Sequence, residues 1–176
     1  NHSLSPLLHN YWIKENKINA NYAKLLLNND ALKETISKIK EDIIAGINVT
    51  IPFKKSIIPY VDVLSPEANE TQSVNTVFKQ DKKIIGHNTD IGGFELSLRH
   101  IKFNAAGKTV FILGAGGVSP SIISALIKMK VSKIYLSNRS PQKAKDLKLL
   151  FKEINLVDWG DFPNFDIIIN ATSVGL

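Results

Sequence analysis

Residues 108–140 read KTVFILGAGGVSPSIISALIKMKVSKIYLSNRS, and this stretch decides the fold. Lys108–Leu113 is a continuous apolar run of strand length, and Gly114–Gly117 is a glycine turn. Val118–Lys130 then places Ile122, Ile123, Leu126 and Ile127 at helical spacing, before a second apolar run at Lys133–Ser137. Further on, Pro141 to about Lys152 predicts another helix and Asp166–Asn170 (DIIIN) another strand. Apolar strands that alternate with helices predict a parallel sheet covered on both faces.

Before this stretch the pattern is less regular. Ser5-Pro6 reads as an N-cap followed by proline at the first helical position, opening a helix to about Asn16. Tyr22–Leu27 reads as a strand. Asp30 is expected to cap a helix through Lys40 that turns Leu32, Ile36 and Ile39 to one side. Ile47–Val49 predicts a short strand, and Pro52 the start of a helix. Ser73–Phe78 and Lys83–His87 predict a hairpin with its turn at Gln80–Asp81. A helix is expected from Asp90 to about His100, and a domain boundary near Phe103–Gly107.

The chain has 176 residues, of which 44% are hydrophobic and 22% charged, enough to bury a core and too apolar for a disordered chain. No apolar run reaches the roughly 18 residues that cross a bilayer. With no cysteine, disulfide scaffolds, thiolate zinc sites, iron–sulfur clusters and cysteine nucleophiles are excluded, and a cytoplasmic protein is compatible. His2, His9, His87 and His100 make no ligand spacing, so no metal is expected. The net charge of +6 favours anionic partners. The lysines are scattered and carry no interleaved aromatics, which argues against nucleic acid.

Gly114-Ala115-Gly116-Gly117 follows a strand and opens a helix, the context of a dinucleotide-binding turn. Gly114 permits the tight turn, and Gly116 lets a pyrophosphate approach the positive end of the next helix. The third small position is Ser119. A plain turn without a ligand has the same local pattern. The end of the second strand carries Asn138-Arg139-Ser140 where NAD-binding chains place an acidic residue. A guanidinium there suits a ribose phosphate, and so NADP, although a solvated arginine would read the same.

The first half has three segments dense in small polar groups: His2–Pro6, Asn48–Lys54, and Val74–Thr76 with Asn88–Asp90. Two serine hydroxyls beside a helix N-terminus suit a carboxylate, and a paired Lys and Asp can handle a proton. Each segment taken alone is also plain turn and cap chemistry.

Taken in order, HSLSPLLHN from His2, NVTIPFK from Asn48, SVNTV from Ser73, GHNTDIGGF from Gly86, GAGG from Gly114, NRS from Asn138 and NATSVGL from Asn170 resemble the shikimate dehydrogenase family along essentially the whole chain. The resemblance implies a two-domain α/β fold. A substrate domain would span 1–102, and a Rossmann-type NADP-binding domain 103–176. It implies interconversion of 3-dehydroshikimate and shikimate with NADP, Lys54 and Asp90 being the proton-handling couple. The substrate carboxylate would fall to Ser3 and Ser5, and the ring hydroxyls to Asn48, Thr50, Asn75 and Asp90. The cofactor would meet Gly114, Ala115, Gly116, Gly117, Asn138, Arg139, Ser140 and Lys143, together with Ala171, Thr172 and Ser173. The partners implied are this small molecule and the cofactor, with neither nucleic acid nor membrane, in a cytoplasmic protein that a homodimer would also suit.

The family pattern opens with a strand before HSLSP and continues past NATSVGL, so the chain is expected to be a piece lacking both. Thr71-Gln72-Ser73 stands where the family usually reads Ile-Gly-Ala, and Lys143 where it often has arginine. Two rival readings are a quinate/shikimate dehydrogenase with broader substrate or NAD use, and a non-catalytic paralogue. The missing acidic residue at the second strand argues against NAD use. Retention of both Lys54 and Asp90 argues against a non-catalytic paralogue.

Overall fold

The computed structural model describes residues 3–28 and 30–174. His2, Gly175 and Leu176, at the outer ends of the first and last motifs, lie outside them. The elements in chain order are α1 (Ser5–Glu15), α2 (Ala31–Lys40), β1 (Gly46–Asn48), α3 (Phe53–Ser56), β2 (Val63–Leu64), α4 (Pro66–Thr71), β3 (Thr76–Gln80), β4 (Lys83–His87), α5 (Asp90–His100), β5 (Thr109–Leu113), α6 (Ser119–Lys128), β6 (Lys133–Ser137), α7 (Pro141–Leu150), β7 (Ile154–Leu156) and β8 (Ile167–Asn170).

They build two sheets. The first is mixed, in the order β1-β3-β4-β2, with β1 and β4 antiparallel to β3 and β2 parallel to β4. The second is wholly parallel, in the order β7-β6-β5-β8. In it the chain steps outward from β5 to β6 and β7, then returns to the other side of β5 with β8. The strand order therefore reverses between β5 and β8. In open α/β sheets ligands bind at that reversal, beyond the carboxyl ends of the strands.

Each sheet has its own core. In the first, Leu32, Ile36 and Ile39 of α2 pack with Val74, Val77 and Ile84. In the second, Ile122, Ile123 and Leu126 of α6 and Leu147 of α7 pack on Val110, Ile112, Ile134 and Leu136. Burying one such side chain contributes about 1.5–3 kcal/mol. Phe111 alternates with Val110 and Ile112 and so points to the opposite face. There it meets Phe162 and Phe165 of the β7–β8 connection, with ring centroids 6.0 and 5.6 Å away. A loop carrying aromatic rings thus packs on that face of the sheet.

Several local expectations need correction. Tyr22–Leu27 is not a strand, because no described segment offers it a hydrogen-bond ladder; Leu25 and Leu26 are exposed. Ser5 is the first residue of α1 rather than its cap, and Ser3 Oγ accepts from the Ser5 amide at 3.3 Å. Asp30 makes no capping bond; Asn28 Oδ1 takes the Ala31 amide instead, at 3.0 Å. The hairpin turn falls one residue later than expected, at Asp81–Lys82, and both residues have positive φ as a type I′ turn requires. β2, α4 and β7 were not foreseen.

At residue 72 the fold keeps a glycine-type conformation without the glycine. Gln72 ends α4 in the left-handed region (φ 48°, ψ 42°). That conformation costs a residue with a Cβ about 1–2 kcal/mol. Gln72→Gly is therefore expected to stabilise the protein by about 1 kcal/mol, read as a higher urea midpoint with an unchanged slope. An unchanged or lower midpoint would show that no strain is held there.

Candidate active site

The first-half polar segments meet on adjoining strand ends. The Val49 amide donates to Asn75 O at 2.7 Å, and the Asn75 amide to His87 O at 3.0 Å, so the ends of β1, β3 and β4 lie side by side. The Val74 amide donates to Lys54 O at 2.9 Å, which brings α3 alongside. Lys54 Nζ then lies 2.6 Å from Asp90 Oδ2, with the two side chains 15% and 24% exposed. Their attraction is less screened than that of a surface ion pair.

The other carboxylate oxygen of Asp90 accepts from Asn75 Nδ2 at 2.8 Å. Asn75 Nδ2 also donates to Thr89 Oγ1 at 2.9 Å. Its Oδ1 accepts from the Thr89 amide and from Thr76 Oγ1, both at 3.0 Å. The Asn75 amide thus has both donors and both lone pairs engaged, so gripping a ligand hydroxyl means exchanging one of these bonds. From Thr76 the network continues: Asn48 Nδ2 donates to Thr76 Oγ1 at 3.3 Å, and Tyr22 OH donates to Asn48 Oδ1 at 3.1 Å. Burial pushes the Tyr22 phenol above its ordinary pKa.

Tyr22 is anchored from α1. Asn10 pairs with its backbone through two bonds of 2.8 Å, and His9 stacks on its ring at 4.3 Å with Trp12 edge-on to His9. Lys54, Asp90, Asn75 and Asn48 therefore share one hydrogen-bonded group. Ser3, Ser5 and Thr50 make no side-chain bond to it among the described residues; Ser3 and Thr50 are exposed, and Ser5 is half-buried. Sequence reasoning passed over Tyr22, Asn10, Thr76, Asn88 and Thr89 as site residues. All but Tyr22 fall inside the quoted motifs, which was the available signal.

The second group surrounds the glycine turn at the carboxyl end of β5. Gly114 has φ +106°, and a Cβ placed on it would lie 2.8 Å from the Ala171 carbonyl carbon and oxygen. The turn also holds itself together. Ser119 Oγ donates to Gly114 O and accepts from the Gly116 amide, both at 2.9 Å, and Asn138 Oδ1 accepts from the Ala115 amide at 3.0 Å. Ser119 is fully buried, so its hydroxyl fastens the turn from beneath where the sequence pattern asked only for a small residue. The Gly117 and Val118 amides have no partner among the described residues and lie at the positive end of α6. Arg139, Ser140 and Lys143 stand exposed between β6 and the first turn of α7, their side chains without a hydrogen bond or ion pair among the described residues. Thr172 folds back on Asn170 Oδ1 through its amide (3.0 Å) and hydroxyl (2.6 Å), and Ser173 is exposed.

The two groups face each other. A methyl group added at Gly117 would touch Ile51 Cγ1 at 3.4 Å and the Lys54 stem at 3.9 Å. The glycine turn thus lies beside the lysine–carboxylate pair.

Comparison with known proteins agrees with both halves. Residues 1–77 match the shikimate dehydrogenase substrate binding domain, and residues 95–175 match shikimate / quinate 5-dehydrogenase. The shikimate dehydrogenase (NADP(+)) of Pelagibacter ubique is 57% identical over 175 residues, 99% of this chain and 66% of that protein. The crystal structure of shikimate dehydrogenase from Aquifex aeolicus superposes with a TM-score of 0.89 at 38% identity, over 99% of this chain and 65% of that one. Shikimate 5-dehydrogenase from Thermus thermophilus, in complex with NADP(H) and shikimate, gives 0.87 at 28% identity, over 97% and 64%. The chain therefore spans about two thirds of the length of these proteins. Among the described residues, no helix is long and apolar enough to cross a membrane.

Gly114→Ala is expected to drive the Ala171 backbone away from β5. It should destabilise the protein by about 1–3 kcal/mol, the usual cost of overpacking, measured by denaturant unfolding. A stability equal to the parent would mean that the approach of these two segments is loose.

Proposed function

The chain belongs to the shikimate dehydrogenase family, and on that premise we propose that it reversibly reduces 3-dehydroshikimate to shikimate with NADPH, in aromatic amino-acid biosynthesis. The observation that carries this reading is the Lys54–Asp90 pair, 2.6 Å apart, with the Lys54 stem 3.9 Å from where a Cβ on Gly117 of the glycine turn would sit. Substrate handling is assigned to residues 1–102, and cofactor handling to residues 103–176.

The residues fit NADP. Gly114 leaves no space for a side chain, and among the described residues the Gly117 and Val118 amides are unpaired and Arg139 and Lys143 offer unpaired cations where a ribose phosphate would lie. Ala115, Gly116, Asn138 and Ser140 complete that surface, with Ala171, Thr172 and Ser173 on the β8 side. When bound, NADPH supplies the hydride.

The chain's own groups supply charge and a proton. As the carbonyl carbon is reduced, negative charge gathers on its oxygen, and the Lys54 ammonium stabilises it and donates the proton. Asp90 keeps Lys54 oriented, and a solvent proton restores the pair. In the reverse direction neutral Lys54 accepts the hydroxyl proton. Ser3 and Ser5, at the positive end of α1, hold the substrate carboxylate. Asn48, Thr50, Asn75 and Asp90 hold its ring hydroxyls. The net charge of +6 suits anionic small molecules, with no nucleic acid or membrane partner, in the cytoplasm. Monomer and homodimer both fit this reading, and sedimentation of the full-length protein separates them.

Lys54→Ala in the full-length protein is expected to lower kcat by at least about 100-fold with the circular dichroism spectrum unchanged. A near-normal rate would remove Lys54 from the chemistry. With the parent protein, kcat/KM should be higher for NADPH than for NADH, and Arg139→Ala should narrow the gap. Equal or better turnover with NADH would refute the cofactor assignment.

A further inference from the structure

Asn88 bridges β4 and α5 and is 1% exposed. Its side-chain amide touches three parts of the molecule. Oδ1 accepts from the Asp90 amide at 2.9 Å, which fixes the residue that faces Lys54. Nδ2 donates to Ser73 O at 2.9 Å and lies 3.3 Å from Thr71 Oγ1, at the end of α4. Nδ2 also lies 3.1 Å from Ser121 Oγ, and that hydroxyl lies 3.3 Å from Oδ1. Ser121 is in the first turn of α6, the helix that the glycine turn opens.

A second clamp runs beside the first. Ser124 Oγ donates to Glu70 Oε1 at 2.6 Å, and Lys128 Nζ is 3.0 Å from Glu70 Oε2. Residues 121, 124 and 128 follow helical spacing, so one face of α6 docks on the first half of the chain through directed polar bonds. Ser121 and Ser124 are fully buried. Apolar surfaces can slide past each other at little cost. A buried amide that loses its partners incurs a desolvation penalty, so these bonds hold one register.

We propose that Asn88 is a positioning residue, which sets the Lys54–Asp90 pair at a fixed distance from the glycine turn by bonding Asp90 on one side and Ser121 of α6 on the other. It touches neither substrate nor cofactor. Its effect on rate rests on the function proposed above, whereas the linkage itself is a property of the fold.

Ser121→Ala in the full-length protein cuts only the α6 arm, since Asn88 keeps Ser73, Thr71 and Asp90. Two results are expected. Hydrogen exchange at the Asp90 amide should quicken by about tenfold, because its acceptor is less firmly held. In addition, kcat should fall by about tenfold while both KM values stay within about twofold, the pattern of reacting groups bound normally but misplaced. Asn88→Ala should lower kcat further; if it does not fold, Ser121→Ala alone decides. Unchanged exchange at Asp90 would overturn the linkage. Faster exchange with an unchanged kcat, or a loss carried by KM, would reduce Asn88 to a structural role and also overturn the proposal. A parent protein that shows the exchange change on Ser121→Ala but never oxidises NADPH would refute the proposed function and leave the linkage standing.

Discussion

Asp90 stands at the first position of α5 with its carboxylate largely withdrawn from water, and both of its oxygens have to be answered. The positive end of α5 helps, but the specific answers come from elsewhere in the chain. Lys54 reaches one oxygen from α3, and Asn75 reaches the other from the segment leading into β3. Removing either partner would leave a partly buried charge with fewer partners to answer it. The carboxylate thereby imposes conditions on its surroundings. β3 and β4 must pair so that Asn75 meets residues 87–89, and α3 must follow β1 closely enough for Lys54 to arrive. The short elements of the first sheet serve that convergence more than they serve a large core.

The second sheet follows a different logic. Its register comes from apolar strands stacked in parallel and covered by α6 and α7, and its polar features are confined to the strand ends. This explains why one half of the chain was more legible than the other. β5, α6, β6, α7 and β8 each carry a periodic signal long enough to recognise. β7 has only three residues, Ile154–Leu156, and β2 only two, too short for a period to show. Tyr22–Leu27 failed for another reason: its composition suits a strand, but a strand exists only beside a neighbour, and composition cannot supply one.

The candidate site divides along the same line. Lys54, Asp90, Asn75 and Asn48 lie within short motifs, so their importance was visible locally. Their wiring was not. Tyr22 bonds Asn48, and Asn88 bonds Ser121, across separations that no local pattern spans. The replacement of Ile-Gly-Ala by Thr71-Gln72-Ser73 looked like damage to a turn. In the fold, Gln72 adopts the glycine conformation, and Thr71 Oγ1 accepts from the buried amide of Asn88, which Ser73 meets only through its backbone carbonyl. A local departure from the family pattern proves to be part of a polar seam.

The aromatic packing has an optical consequence. The chain's two tryptophans fall one to each half of the chain: Trp12 on α1, edge-on to His9, and Trp159 in the connection that carries Phe162 and Phe165 over Phe111. Both rings are about half exposed. Each half of the molecule therefore carries its own native fluorophore, one near the substrate-side polar network and one near the aromatic face of the parallel sheet. With the other tryptophan replaced by phenylalanine, the emission of each reports on its own half of the chain without any added label.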